Sequence, residues 1–286
     1  MIRFCAVCGF LPEGMKPRLK RTGLMFGALV LMSGGLLAQS VASSRQIVAS
    51  MVANENEAEQ HRGRYLYVSE ERSERTGGHL WRERVAETSA GKVRLLIAED
   101  GQPLNGDRAA AERARLADIA AHPDAFEKRE LALKNDEKHA KQMLEMLPKG
   151  FEFGAPRQES GFWRIDFKPN AAYTPQSLEE RVLHGMTGSL LVDEGATRLH
   201  RVEGRLPEEV SIGFGLIATI RAGSNFSTTR DRVQGNEWKT AALDTDINGR
   251  AIFFKAIGKK QHAVHSDFKQ LPADISAGQA VALLLK

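Results

Sequence analysis

The stretch from Gly161 to Pro272 constrains the fold most, because apolar and polar residues alternate along it between short turn signals rich in Gly, Asp and Asn. A period of two is typical of strands with one covered face and one face in water. The pattern is clearest where Trp163, Ile165 and Phe167 should point to one side, with polar residues between them. We predict a long antiparallel meander whose apolar side packs against other parts of the chain.

The charge of the chain lies mostly in a leader. The formal net charge is +4, but five basic residues and one acid fall within residues 1–42, which leaves 35 basic and 35 acidic residues in the rest of the chain. A neutral body offers no electrostatic footprint for a polyanion. We therefore expect no nucleic-acid partner.

The leader has the pattern of a secretory signal peptide over residues 15–42. A basic segment, Lys16–Arg21, precedes the short apolar run Gly23–Ala38 and then small residues. Sixteen residues are short for a membrane span, which needs about 20. We predict a periplasmic or otherwise exported protein, with an uncleaved signal-anchor in the inner membrane as the alternative.

Residues 1–14, which precede Met15, are interpreted as an over-extended gene start. Both cysteines of the chain, Cys5 and Cys8, fall within them. A single Cys-x-x-Cys pair without a second pair is a weak indication of a metal or redox site. The exported chain is expected to have no disulfide and to depend on its core.

The remaining residues, 43–286, are expected to form a single domain. An amphipathic helix is predicted over Ser44–Gln60, followed by three strands before residue 100. The period then changes, and a pair of helices is predicted within an insertion at residues 107–147, broken by Pro123. Such a pair can be a lid over the sheet or can simply close its core.

No group of residues has the spacing of a catalytic or metal site. The nearest to a metal motif is His262, His265 and Asp267, but residues three apart on a strand face opposite sides, and a zinc site needs more than two ligands. No Gly-x-Ser-x-Gly motif or phosphate-binding loop is present. We predict no catalytic residues, no metal and no cofactor.

The order of these elements resembles the periplasmic lipoprotein-carrier and outer-membrane lipoprotein-sorting superfamily. Two segments contribute to the resemblance, one over residues 93–104 and the other a hairpin over residues 183–202. The resemblance implies an α+β fold in which an antiparallel sheet of about eleven strands curls into an incomplete β-barrel, with an N-terminal helix and an inserted helical pair as its lid.

The resemblance also implies a function in lipoprotein handling or envelope maintenance, without enzymatic activity. The expected ligand is a lipid or lipoprotein acyl chain, which gains about 0.8 kcal/mol for each buried CH₂ group. An alternative is a structural or sensory envelope module with a filled core that binds a protein partner. The candidates for an apolar ligand cavity are large apolar residues on predicted strands: Trp81, Trp163, Phe167, Phe214, Leu216, Trp238, Ile252 and Phe254.

Overall fold

The computed structural model describes residues 43–133, 135–212, 218–251 and 255–286. The predicted leader and its two cysteines lie outside these residues. So do four of the candidate cavity residues, Phe214, Leu216, Ile252 and Phe254. In the part of the chain that is described, no helix combines the length and the apolar character needed to cross a membrane.

The described residues form six helices and fourteen strands. The helices are α1 (Ser44–Gln60), α2 (Gly106–Ala121), α3 (Pro123–Leu133), α4 (Asn135–Gly150), α5 (Leu178–His184) and α6 (Ala277–Leu284). The strands are β1 (Arg64–Arg72), β2 (Trp81–Glu87), β3 (Lys92–Glu99), β4 (Gln102–Pro103), β5 (Phe151–Phe153), β6 (Arg157–Glu159), β7 (Phe162–Pro169), β8 (Thr187–Asp193), β9 (Leu199–Arg205), β10 (Val210–Ile212), β11 (Ala218–Ile220), β12 (Asn225–Gln234), β13 (Glu237–Ala251) and β14 (Lys255–Leu271).

All of these strands belong to one curled, open sheet. Its order is β4-β3-β2-β1-β14-β13-β12-β9-β8-β7-β5, with β6 attached to β7, and β10 and β11 attached beside β13. The predicted α+β class with a curled antiparallel sheet is confirmed. The strand count exceeds the expected eleven because β4, β5, β6, β10 and β11 are short pieces of two or three residues.

The pairing register defines the two faces of the sheet. Residues directly opposite on neighbouring strands share a face. One row crosses seven strands, and we call its side the α1 face: Glu71, Ala263, Leu243, Thr228, Val202, Leu190 and Ile165. The neighbouring row, on what we call the α6 face, is Glu70, Val264, Ala242, Thr229, Arg201, Leu191 and Arg164.

Helix α1 packs on the first of these faces, as its apolar stripe predicts. It begins at a capping box, in which Ser43 and Gln46 each satisfy a main-chain N–H of the other. Its buried residues Val48 and Met51 join a core that includes Ile165 and Leu190. From the insertion, α4 contributes Met146 and Leu147 to the same core.

The α6 face carries a second core over β1–β3. Leu116 and Ile119 of α2, together with Phe126 of α3, pack there against Ala86 and Val93. Helix α6 adds Ala277, Ala280, Val281 and Leu284, so the C-terminal segment docks as a last apolar element. Both cores therefore receive side chains from the insertion.

The helical insertion contains three helices, α2, α3 and α4, instead of the predicted pair, and it extends slightly beyond the predicted limits of residues 107–147. Helix α2 begins at Gly106, and α4 continues to Gly150. Pro148 lies inside the last turn of α4 instead of ending the helix at Leu147. The extension is possible because proline disrupts the turn that precedes it, while the residues after it can still take helical angles.

We predict that Gly188→Ala strains the pairing of β8 with β9. A Cβ atom at this position would lie 1.9 Å from the main-chain oxygen of Glu203 and 2.8 Å from the ring of Phe167. Urea unfolding should show a loss of about 1–3 kcal/mol in the free energy of unfolding. Gly278→Ala is the control, since a Cβ there meets nothing within 4 Å. Equal stability of the two variants would contradict the assigned register.

Candidate functional site

A cleft of about 1030 Å³ lies beside the second half of α1. One wall is formed by residues 54–59 of α1, and another by the start of β13 and the turn before it, residues 236–240. Lys92 from β3 and Lys141 and Leu144 from α4 also line the cleft. The cleft thus brings together α1, the insertion and both halves of the sheet.

Polar and charged side chains form most of the cleft lining. The apolar residues among those lining it are Ala58, Leu144, Ala196 and Trp238. The indole of Trp238 is only 7% exposed, and its Nε1 is buried without a hydrogen-bond acceptor. A ligand in this cleft would therefore meet few apolar side chains, the carbon stems of polar residues, and charges of both signs.

Of the four predicted cavity residues that the structure describes, Trp238 alone lines this cleft. Phe167 is buried in the core under α1, with its ring centroid 5.0 Å from that of Phe151, and Trp163 packs partly against the same core. Trp81 lies at the start of β2, under the guanidinium of Arg75 at 5.3 Å. The structure thus places these four side chains in three separate surroundings.

Three buried or half-buried charges join α1 to the sheet at the cleft wall. The Glu55 carboxylate accepts hydrogen bonds from Arg198 at 2.8 and 3.0 Å and from Arg230 at 2.5 Å. The main-chain N–H of Leu199 donates a further bond at 3.0 Å. Burial alone would raise the pKa of Glu55, but the two guanidinium groups outweigh burial and lower this pKa below its ordinary value. Glu55 is therefore ionised at neutral pH.

A second buried pair lies at the far wall of the cleft. The Lys239 ammonium donates to Glu87 at 2.9 Å and to the main-chain oxygen of Gly63 at 3.0 Å, and it lies 4.6 Å from the ring centroid of Tyr65. Burial lowers the pKa of Lys239. A lysine with a depressed pKa beside a cleft is a candidate reactive amine, although a structural ion pair has the same signature.

Further along the α1 face, charges form a third network. Arg75 contacts Glu71 at 2.6 Å and Glu83 at 2.7 Å, and Arg94 contacts Glu83 at 3.3 Å. The pKa of Glu71 is lowered, since bonds from Arg75 and Ser73 outweigh its burial. Glu71 and Glu83 are therefore buried, paired charges on the α1 face, at positions where alternation alone predicts apolar residues.

In the described part of the chain, one group of side chains has metal-binding composition. His79, Glu99 and Asp100 each bring one donor atom within 4.8 Å of the others. Arg108 already contacts Glu99 at 2.5 Å, and the His79 ring contacts Asp100 at 2.6 Å. Two of the three residues are exposed, and their charges are balanced without a cation.

His262 and His265 lie on opposite faces of the sheet, as predicted. His262 pairs with Arg72 and contacts Asp244 at 2.5 Å, whereas His265 pairs with Ser69 on the α1 face. Asp267 is two residues after His265 and would share its face on a regular strand, but it lies at an irregularity of β14, with φ of 58°. These three residues do not converge on one point.

The charged residues of the cleft wall were not predicted, although the sequence carries one signal for them. Glu55 follows Met51 by four residues and so falls on the apolar stripe of α1. A carboxylate on a stripe that becomes buried needs a partner, because an unpaired buried charge is strongly unfavourable. The stripe could not identify Arg198 and Arg230, which lie more than 140 residues away.

Three comparisons with known proteins were made, against family models, curated proteins and solved structures. None of them finds a match to this chain. The functional interpretation therefore depends on the geometry of the cleft.

We predict that Glu55→Gln destabilises the protein by about 3 kcal/mol at pH 7, measured by urea unfolding. The substitution removes the negative charge between two guanidinium groups that remain largely buried. Glu57→Gln, two residues further along α1 at an exposed position, is the matched control and should change stability by less than about 0.5 kcal/mol. Similar effects of the two substitutions would be evidence against the ion cluster.

We predict that the contribution of Glu55 to the free energy of unfolding is lost in acid. Because the pKa of Glu55 is lower in the folded state, its contribution is complete above the ordinary value and is lost as the pH falls through the lowered value. The difference in unfolding free energy between the wild type and Glu55→Gln should therefore shrink between pH 5 and pH 2, over roughly the range in which such carboxylates protonate. A difference that stays constant over this range would contradict the assignment.

Proposed function

We propose that the protein is an exported, non-enzymatic binding protein whose open half-barrel holds an amphiphile, an acyl chain joined to a polar head. Its role would be in lipoprotein handling or envelope maintenance. The observation that supports this proposal most is the cleft of about 1030 Å³, which is at the upper end of the range typical of small-molecule sites. A module filled by its own side chains would lack such a space.

The composition of the lining supports an amphiphile better than a pure hydrocarbon. Leu144 and the small exposed part of Trp238 offer an apolar surface for part of a chain, and the aliphatic stem of Lys92 can extend it. The charged ends of Lys141 and Arg230 border this surface and match a polar or charged head. Each CH₂ group that leaves water would contribute about 0.8 kcal/mol.

Helix α4 is the part of the insertion that fits the role of a lid. Its last turns are fixed in the core by Met146 and Leu147, while Lys141 and Leu144 face the cleft. Helices α2 and α3 pack on the α6 face and are not placed to cover the cleft. Movement of the part of α4 that precedes these core residues would open or close the space beside α1.

The test combines native purification of the exported chain with a binding measurement. We expect lipid to co-purify, as seen by mass spectrometry, and a fluorescent fatty acid to bind. Leu144→Asp should weaken that binding at least about tenfold, because it places a charge on the apolar wall. Leu131→Asp, an exposed leucine of α3, is the matched control and should leave binding unchanged. Circular dichroism would verify that both variants fold.

Absence of any co-purified lipid, together with no binding of the fluorescent fatty acid, would refute the proposal. The second candidate function, a module that binds a protein partner, is favoured by the ion network of Glu71, Arg75, Glu83 and Arg94, which fills part of the α1 face with the protein's own side chains. That function predicts that no lipid co-purifies and that neither the wild type nor Leu144→Asp binds the fluorescent fatty acid.

A further inference from the structure

Among the described strands, the edge of β3 that faces away from β2 has no long neighbour. On that side β3 pairs with the two-residue strand β4, at Ala98 and Glu99. Over residues 92–96, the main-chain groups of β3 that point away from β2 therefore face the helical insertion. An uncovered strand edge of this kind is a template for pairing with another chain.

Side chains from α2 and α3 occupy this edge at alternate residues. The N–H of Lys92 donates to Glu130 at 3.0 Å, and the N–H of Leu96 donates to Glu112 at 3.3 Å. Between them, the oxygen of Arg94 accepts a bond from Arg115 at 2.5 Å. Two donors and one acceptor that a neighbouring strand would bond are thus satisfied by side chains of the insertion.

The helices hold these side chains in position. Arg115 also contacts Glu112 at 2.8 Å, so the two are oriented together, and Leu116 beside them is fully buried. At Gly91 a Cβ atom would lie 2.3 Å from the Cγ of Glu130. Glycine at this position therefore leaves the space that Glu130 needs to reach the edge.

We propose that α2 and α3 act as an edge guard: Glu112, Arg115 and Glu130 replace the missing neighbour of β3 and block its antiparallel pairing with β3 of a second copy. A second copy is the partner that fits, because antiparallel pairing about Arg94 places residue 92 opposite residue 96 of the other copy. Each edge then supplies the groups that the other lacks, as a two-fold interface requires.

The charges at the edge agree with a guard. Lys92 and Arg94 add positive side chains to this strand, and charged residues on an edge discourage pairing. In a pair of two copies the Arg94 side chains would face each other, at a cost that Glu83 reduces through its contact with Arg94 at 3.3 Å. Because Glu83 partly neutralises these charges, repulsion alone would not prevent pairing. The guard therefore also occupies the main-chain hydrogen-bonding groups of the edge.

The test is a triple variant of the chain, Glu112→Ala, Arg115→Ala and Glu130→Ala. Hydrogen exchange of the Lys92 and Leu96 amides should become at least about tenfold faster in dilute solution, since their acceptors are removed. Light scattering coupled to size exclusion should show a concentration-dependent dimer, in which these two amides regain protection.

Two further variants serve as controls. Glu112→Gln with Glu130→Gln keeps a carbonyl acceptor at each position and should remain monomeric with wild-type exchange. Arg113→Ala, Asp124→Ala and Glu127→Ala remove a similar set of charges from exposed positions of the same helices and should also change neither property. Dimers of this second control would show that net charge, and not the guard, sets the association state.

Unchanged exchange at Lys92 and Leu96 in the triple variant would overturn the guard. Faster exchange in a variant that stays monomeric at all concentrations would overturn a second copy as the partner. If the triple variant does not fold, the single variant Glu130→Ala replaces it. Faster exchange of the Lys92 amide would then support the guard, and unchanged exchange would overturn it.

Discussion

The ion cluster of Glu55, Arg198 and Arg230 is the interaction on which the arrangement around the cleft depends. It joins α1 to β12 and to Arg198, the residue before β9, which come from distant parts of the chain. Apolar contacts of Val48 and Met51 hold the first half of α1, but its second half presents mainly polar residues. Apart from the cluster, this half of α1 contacts the sheet side through Asn54, which donates to the main-chain oxygen of Thr197 at 3.2 Å.

The sheet is covered on both faces, but over different strands. On the α1 face, α1 and α4 cover β7–β9, while on the α6 face α2, α3 and α6 cover β1–β3. The insertion thus has three roles at once: it completes both cores, guards the edge of β3 and lines the cleft through α4. The lid that the resemblance implies would correspond only to the third of these roles.

Sequence patterns predicted the local structure well where period and capping agree. The stripe of α1 and the alternation of Trp163, Ile165 and Phe167 correspond to observed elements because both depend on residues close in sequence. The composition of the cleft was beyond such patterns. The partners of Glu55 are fixed by strand register across the sheet, and register is a long-range property that alternation does not specify.

A double-mutant cycle between Glu55 and Arg198 tests the central claim most directly. The unfolding free energies of the wild type, Glu55→Gln, Arg198→Met and the double variant give the coupling between the two side chains. The structure predicts a coupling of about 2–3 kcal/mol, since the pair is buried and bidentate. Additivity within about 0.5 kcal/mol would show that the two side chains do not hold α1 to the sheet.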